Sequence, residues 1–147
     1  LPNNKKVIPF PQSGFWKFYD WVDGDGSDPI EKWLAGESDE VRMVFNSTLK
    51  DASKRRNHLE WLCFKRFLKG KKYEQERLWE LKFHADRKEF RLVGRFDGVM
   101  RAIVFCGCYH KQSVYTPKDA IDTALRRAKA LSQGKARRRE RTIQDDF

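Results

Sequence analysis

The chain has 147 residues, enough for one domain, and its 39% hydrophobic and 14% aromatic content excludes wholesale disorder. Lys and Arg number 31 against 21 Asp and Glu, a net charge of +10 that points to a polyanionic partner. No window approaches the roughly 20 apolar residues of a membrane span, and Lys5, Lys6 and three early prolines interrupt any signal-peptide run. The expectation is a soluble cytoplasmic protein with no membrane partner. Three cysteines leave one over and follow no scaffold spacing. Cys106 and Cys108, two apart on an apolar strand, are read as packing side chains and not as a metal site.

In chain order, residues 1–14 carry Pro2, Pro9, Pro11 and Gly14 and read as a flexible arm. The aromatic run Phe15 to Val22 reads as a first strand. Asp28-Pro29-Ile30-Glu31 is a helix start, with Asp able to cap and Pro suited to the first turn. Ser38 opens a second helix whose Val41, Val44, Phe45 and Leu49 recur at helical spacing. Asn57 with Glu60 starts a third helical segment, expected to end near Gly70. From Arg77 the period changes to two. Trp79, Leu81 and Phe83 alternate with Glu80, Lys82 and His84, and Phe90, Leu92 and Phe96 alternate with Arg91, Val93 and Arg95. Asp97-Gly98 is a hairpin signal, and Met100 to Tyr109 reads as a strand covered on both faces. Thr116-Pro117-Lys118-Asp119 reads as a capping box opening a last helix with Ile121, Ala124, Leu125, Ala128 and Leu131 inward. Residues 134–147, rich in arginine, read as a basic tail, mobile or continuing as a solvated helix. The expected class is α+β, one domain over residues 15–133.

Five segments in order carry a resemblance: Asp28–Leu34 (DPIEKWL), Leu78–Lys82 (LWELK), Glu89–Phe96 (EFRLVGRF), Ile103–Lys111 (IVFCGCYHK) and Thr116–Ala128 (TPKDAIDTALRRA). Together they resemble the phage-related branch of the RelE/HigB toxin superfamily, across about residues 15–130. The resemblance implies a RelE-like antiparallel sheet, an N-terminal strand plus a three-strand meander, with N-terminal helices packed on it and a C-terminal helix. It also implies a toxin that cleaves mRNA on the ribosome and is neutralised by a cognate antitoxin, commonly a helix-turn-helix protein. Gln112 departs from the pattern, since many relatives carry a second basic residue there.

RNA cleavage through the 2′-OH needs that hydroxyl deprotonated, charge on the phosphorane stabilised and the leaving 5′-oxygen protonated. Arg91 matches the family's strand arginine and can hold a phosphate with its planar fork, or pair with Glu80 or Glu89. Lys111 matches the lysine after the last strand and suits a phosphate contact or leaving-group protonation. His110 is placed for acid–base work, and Tyr115 for orienting the 2′-OH or stacking on a base. Arg95 shares the strand face of Arg91, and Lys82 shares that of Glu80 and His84; both suit phosphate contacts, and Lys82 equally suits a pairing with Glu80. Lys69, Lys71 and Lys72, with Lys65 and Arg66, form a basic run that suits either an RNA backbone or a solvated face. No metal or cofactor motif is present, so neither is expected. The rival reading is a non-catalytic nucleic-acid-binding or regulatory protein of phage or plasmid origin.

Overall fold

The computed structural model describes residues 15–111 and 114–143, with Lys111 described as backbone only. The expected N-terminal arm, Gln112 and residues 144–147 lie outside the described residues. β1 (Lys17–Asp23) leads into α1 (Pro29–Ala35) and α2 (Asp39–Ser53). β2 (Phe64–Phe67) and α3 (Lys71–Gln75) precede the meander β3 (Trp79–Ala85), β4 (Lys88–Phe96) and β5 (Arg101–Lys111). β6 (Val114–Thr116), α4 (Ala120–Ser132) and β7 (Ala136–Glu140) follow. The strands form one sheet in the order β2-β3-β4-β5-β1-β7, with β6 also on β5. The expected α+β class and the β3-β4-β5 meander are present. One pairing departs from antiparallel, since β1 runs parallel to the first half of β5.

Two of the expected helix starts form as the residues dictate. Asp28 accepts from the Glu31 amide at 3.0 Å with Pro29 in the first turn, and Ser38 accepts from the Val41 amide at 3.3 Å. Each satisfies an orphan amide of the first turn. Ile30, Leu34, Val41, Phe45 and Leu49 are then buried against Phe18, Leu81, Phe83, Phe90 and Leu92 on one sheet face. Burying side chains of this size stabilises by about 1.5–3 kcal/mol each. Trp33 crosses β5 at Gly107, where the indole fills the space a Cβ would need. The opposite face packs Val93, Phe105, Cys106 and Cys108 under Ala120, Ala124, Leu125 and Ala128 of α4. Both strand cysteines do point the same way, and burial pushes the Cys106 thiol up to about 12, so it stays protonated.

Three expectations need correction. Asn57 and Glu60 do form a capping box, but it opens a single 3-10 turn, His58–Glu60. Trp61 is buried among Trp16, Phe18 and Phe64, and the chain then extends to pair with β3. Leu59 and Leu62, which a helix would have buried together, stand 74% and 80% exposed. At the other end of the sheet, Thr116 caps no helix. It pairs with Tyr109 in β6, and α4 starts at Asp119 with no side-chain cap.

The third correction is the tail, because residues 136–140 form β7, antiparallel to β1. Three arginines on and just after β7, Arg138, Arg139 and Arg141, are held by acids far upstream. Arg138 Nη1 lies 2.6 Å from Asp97 Oδ2, Arg139 Nη2 lies 2.7 Å from Asp28 Oδ2, and Arg141 grips both oxygens of Asp20 at 2.8 and 2.6 Å. A basic run reads as solvated from sequence because its partners are more than 100 residues away for Arg139 and Arg141.

Asp20 and Asp28 form a carboxyl pair within this clamp, 3% and 9% exposed. Burial pushes the Asp20 carboxyl up to about 7, with Arg141 opposing and Asp28 adding to the rise. Burial also works against ionising Asp28, but hydrogen bonds from Asp20, the Glu31 amide and Arg139 prevail and hold it low. The folded chain therefore keeps a proton that the unfolded chain loses near the ordinary aspartate value. That contribution is complete below about pH 4 and is lost as pH rises through about 7, a fall of about 4 kcal/mol at full linkage. Thermal melts from pH 4 to 8 should show this decline, and Asp20→Asn should flatten it. Parallel wild-type and variant profiles would contradict it.

Candidate active site

The site begins with a tight turn. Asp86 and Arg87 have φ of 54° and 62° and join β3 to β4 as a two-residue hairpin with both central residues left-handed. That turn fixes the register His84↔Glu89 and Lys82↔Arg91. Glu89 in turn faces His110, Arg91 faces Cys108, and His110 faces Tyr115 of β6. Residues opposite each other share a face, so His84, Glu89, His110 and Tyr115 form one row across four strands. Lys82 and Arg91 form the next row, and Glu80 the one behind it. β6 takes the edge of β5 beyond the segment paired with β1, which is what sets Tyr115 beside His110. A non-glycine residue in the left-handed region costs about 1 kcal/mol. Arg87→Gly should therefore raise unfolding stability by about that much in denaturant titration, and a loss would contradict the turn geometry.

Glu80 is the hub of the cluster. It is 1% exposed, and its Oε2 accepts from the Tyr115 hydroxyl at 2.6 Å. Arg66 Nε donates to its Oε1 at 3.4 Å, and Arg91 Nε lies 3.8 Å from Oε2. Arg91 Nη2 is also 3.7 Å from Glu89 Oε2, which leaves Nη1 buried without a hydrogen-bond partner. Lys82 Nζ sits 3.4 Å from Glu89 Oε1. The rings of His110 and Tyr115 lie 4.9 Å apart. A cleft of about 530 Å³ opens on His84, Glu89 and His110, walled by the turn residues and Tyr109.

Electrostatics divide the roles. Burial, then the hydrogen bond to Glu80 and its charge, push the Tyr115 phenol well above its ordinary range. Tyr115 thus keeps its proton and cannot be a base. Its oxygen can still accept a hydrogen bond. Slight burial disfavours ionised Glu89, but Lys82, Arg91 and His84 outweigh it and hold that carboxyl low. Glu89 is therefore an anion standing between His84 and His110 in the strand register, with its oxygens 3.4 Å from Lys82 and 3.7 Å from Arg91.

Arg91, His110, Tyr115 and Lys82 are brought together. Of the two uses open to Arg91 in the sequence, the ion pair is the one formed, with both glutamates, and the fork does not face the cleft. Arg95 is not part of the cluster. It pairs with Glu76 at 3.0 Å, reaches Ser132 and lies over the Phe105 ring. Lys69 is exposed before α3, and Lys71 and Lys72 lie on it, with Lys72 3.6 Å from Asp122 of α4. Lys111 pairs with Val114 through its backbone. Tyr109 packs on the other face, with the core under α1 and α2. Sequence reasoning missed His84 and Glu89 as site residues and left Glu80 as an ion-pair partner. The available signal was the two-residue turn, which sets His84 against Glu89 and carries the register on to His110.

Among the described residues no group of three or more His, Cys, Asp or Glu is gathered to hold a metal ion, and no helix is long and apolar enough to cross a membrane. No curated protein matches the chain, and no solved structure does. Residues 32–129 match the family described as Phage derived protein Gp49-like (DUF891). That match runs from within α1 almost to the end of α4 and takes in every residue of the cluster just described, so the chain belongs to the phage-derived Gp49-like family.

Proposed function

We propose that this chain is the toxin of a toxin–antitoxin pair, an endoribonuclease that cuts mRNA on the ribosome in the cytoplasm. One observation carries the reading: His84 and His110 flank the anion Glu89 at the mouth of a cleft on a basic protein. Their strands are two apart, about 10 Å between backbones, so the side chains can reach opposite sides of one phosphodiester. An imidazole can take or give a proton near neutral pH. His110, beside Tyr115, takes the 2′ proton as the 2′-oxygen bonds to phosphorus. His84 gives a proton to the 5′-oxygen as its bond to phosphorus breaks. Lys82, 45% exposed, supplies positive charge to the phosphorane. Tyr115 accepts a hydrogen bond from the ribose, held in place by Glu80. Arg91 acts from beneath, fixing the two glutamates. Lys111 at the end of β5 is a further phosphate contact.

The RelE/HigB-like order of segments and the Gp49-like family support the toxin assignment, and the partner it calls for is a helix-turn-helix antitoxin. Inducing the chain in a bacterium should arrest growth and give codon-phased mRNA 5′ ends, both lost in His110→Ala. Normal growth with intact mRNA would refute the reading. One observation favours a second one, a non-catalytic nucleic-acid-binding protein: Arg91 is enclosed by two carboxylates. Under that reading RNA is bound and never cut.

A further inference from the structure

Most of the arginines after residue 126 are occupied. Arg127 donates to the Phe105 carbonyl at 2.7 Å and lies over Trp21, and Arg138, Arg139 and Arg141 clamp β7. Apart from Arg137 of β7, which lines a separate cleft with Val22 and Gly26, Arg126, Lys129 and Lys135 remain. All three are exposed and make no ion pair among the described residues, and they line two adjoining clefts along α4. Asp122, Arg126 and Lys129 recur three or four apart, so they share one helix stripe. Asp122 is bridged by Lys72, which joins the basic run of α3 to that stripe. Two basic runs more than 50 residues apart in sequence thus meet in one strip. The strip starts at the first turn of α4, the end that directly follows β6 and Tyr115, and α4 lies on the same sheet face as Glu80 and Arg91. Thirteen helical residues span about 20 Å, room for several phosphates.

We propose that the strip of Lys71, Lys72, Arg126, Lys129 and Lys135 holds the phosphodiester backbone of the substrate RNA strand flanking the cleavage point. The proposal rests on the endoribonuclease reading. Continuity with the candidate site selects the substrate strand as the occupant over a separate RNA surface. Contacts of this kind confer affinity without base preference and weaken with salt.

The test uses the full chain and 2′-O-methylated RNA, which offers no 2′-OH for attack, as a 4-mer and a 15-mer at several salt concentrations. The wild type should bind the 15-mer far more tightly than the 4-mer. Replacing Arg126, Lys129 and Lys135 together by serine should lower 15-mer affinity at least tenfold and flatten its log–log salt slope by about 2. The 4-mer affinity and the melting temperature should not change. Unchanged 15-mer affinity and slope would overturn the proposal. So would a variant that loses ribosome binding while keeping the 15-mer, which would reassign the strip to ribosomal RNA. If the strip binds as expected but ribosome-bound mRNA is never cut, the endoribonuclease reading fails and the strip stands as an RNA-backbone surface without cleavage.

Discussion

Replacing Glu80 by alanine should lower unfolding stability by about 3–5 kcal/mol, the largest loss expected for a single change in the site. The reason is the company Glu80 keeps. Removing it leaves the Arg91 guanidinium, 7% exposed, with only Glu89, 42% exposed and so better screened by solvent, as counter-ion. The Tyr115 hydroxyl loses its acceptor at the same time. A buried charge stripped of its partner costs far more than the intact pair contributes. Glu80→Gln should recover much of the loss, since an amide oxygen still accepts from Tyr115. The Glu80→Ala, Arg91→Met double variant should recover it too, because no charge is then stranded. A double variant as unstable as Glu80→Ala alone would show that the loss is one of packing and not of charge. Denaturant titration of the four proteins decides this.

His110→Ala should lower RNA cleavage by about 10²–10⁴-fold with little change in stability, the usual range for a lost proton-transfer group. The residue is half-buried at the cleft and touches mainly the Tyr115 ring, so its removal opens no core cavity. His84→Ala should act in the same way on a leaving-group step. The two losses should be far from additive, because both histidines serve one transition state. Tyr115→Phe tests the neighbouring role. It keeps the ring and loses the hydroxyl, so an effect on rate beyond the effect on RNA affinity would locate the phenol oxygen at the ribose. Equal cleavage by wild type and His110→Ala would remove the acid–base pair from consideration.

The meander was legible because alternation survives in β3 and β4, with Trp79, Leu81 and Phe83 against Glu80, Lys82 and His84. The helix starts at Asp28 and Ser38 were legible because capping is local chemistry. What misled was chemistry whose partners lie far along the chain. Asn57 and Glu60 signal a helix locally, yet burial of Trp61 and pairing with β3 draw the next residues into a strand. The arginines of β7 read as solvated because Asp20, Asp28 and Asp97 are distant in sequence. The same limit applied to the site. For Arg91 the sequence leaves a phosphate ligand and a partner of Glu80 or Glu89 both open, and only the folded register shows both glutamates enclosing it. His84 was visible as a strand residue, but its place opposite Glu89 depends on a turn that uses Asp86 and Arg87 where glycine is usual.

The most direct test is the chemistry left at the cut. Attack by the 2′-oxygen leaves a 2′,3′-cyclic phosphate on the upstream fragment and a free 5′-hydroxyl on the downstream one. RNA recovered after brief induction of the wild-type chain should carry such ends at new sites within coding regions, and RNA from cells inducing His110→Ala or His84→Ala should not. Cuts bearing 3′-hydroxyl and 5′-phosphate ends, or no cuts at all, would contradict the mechanism assigned to the His84–Glu89–His110 row.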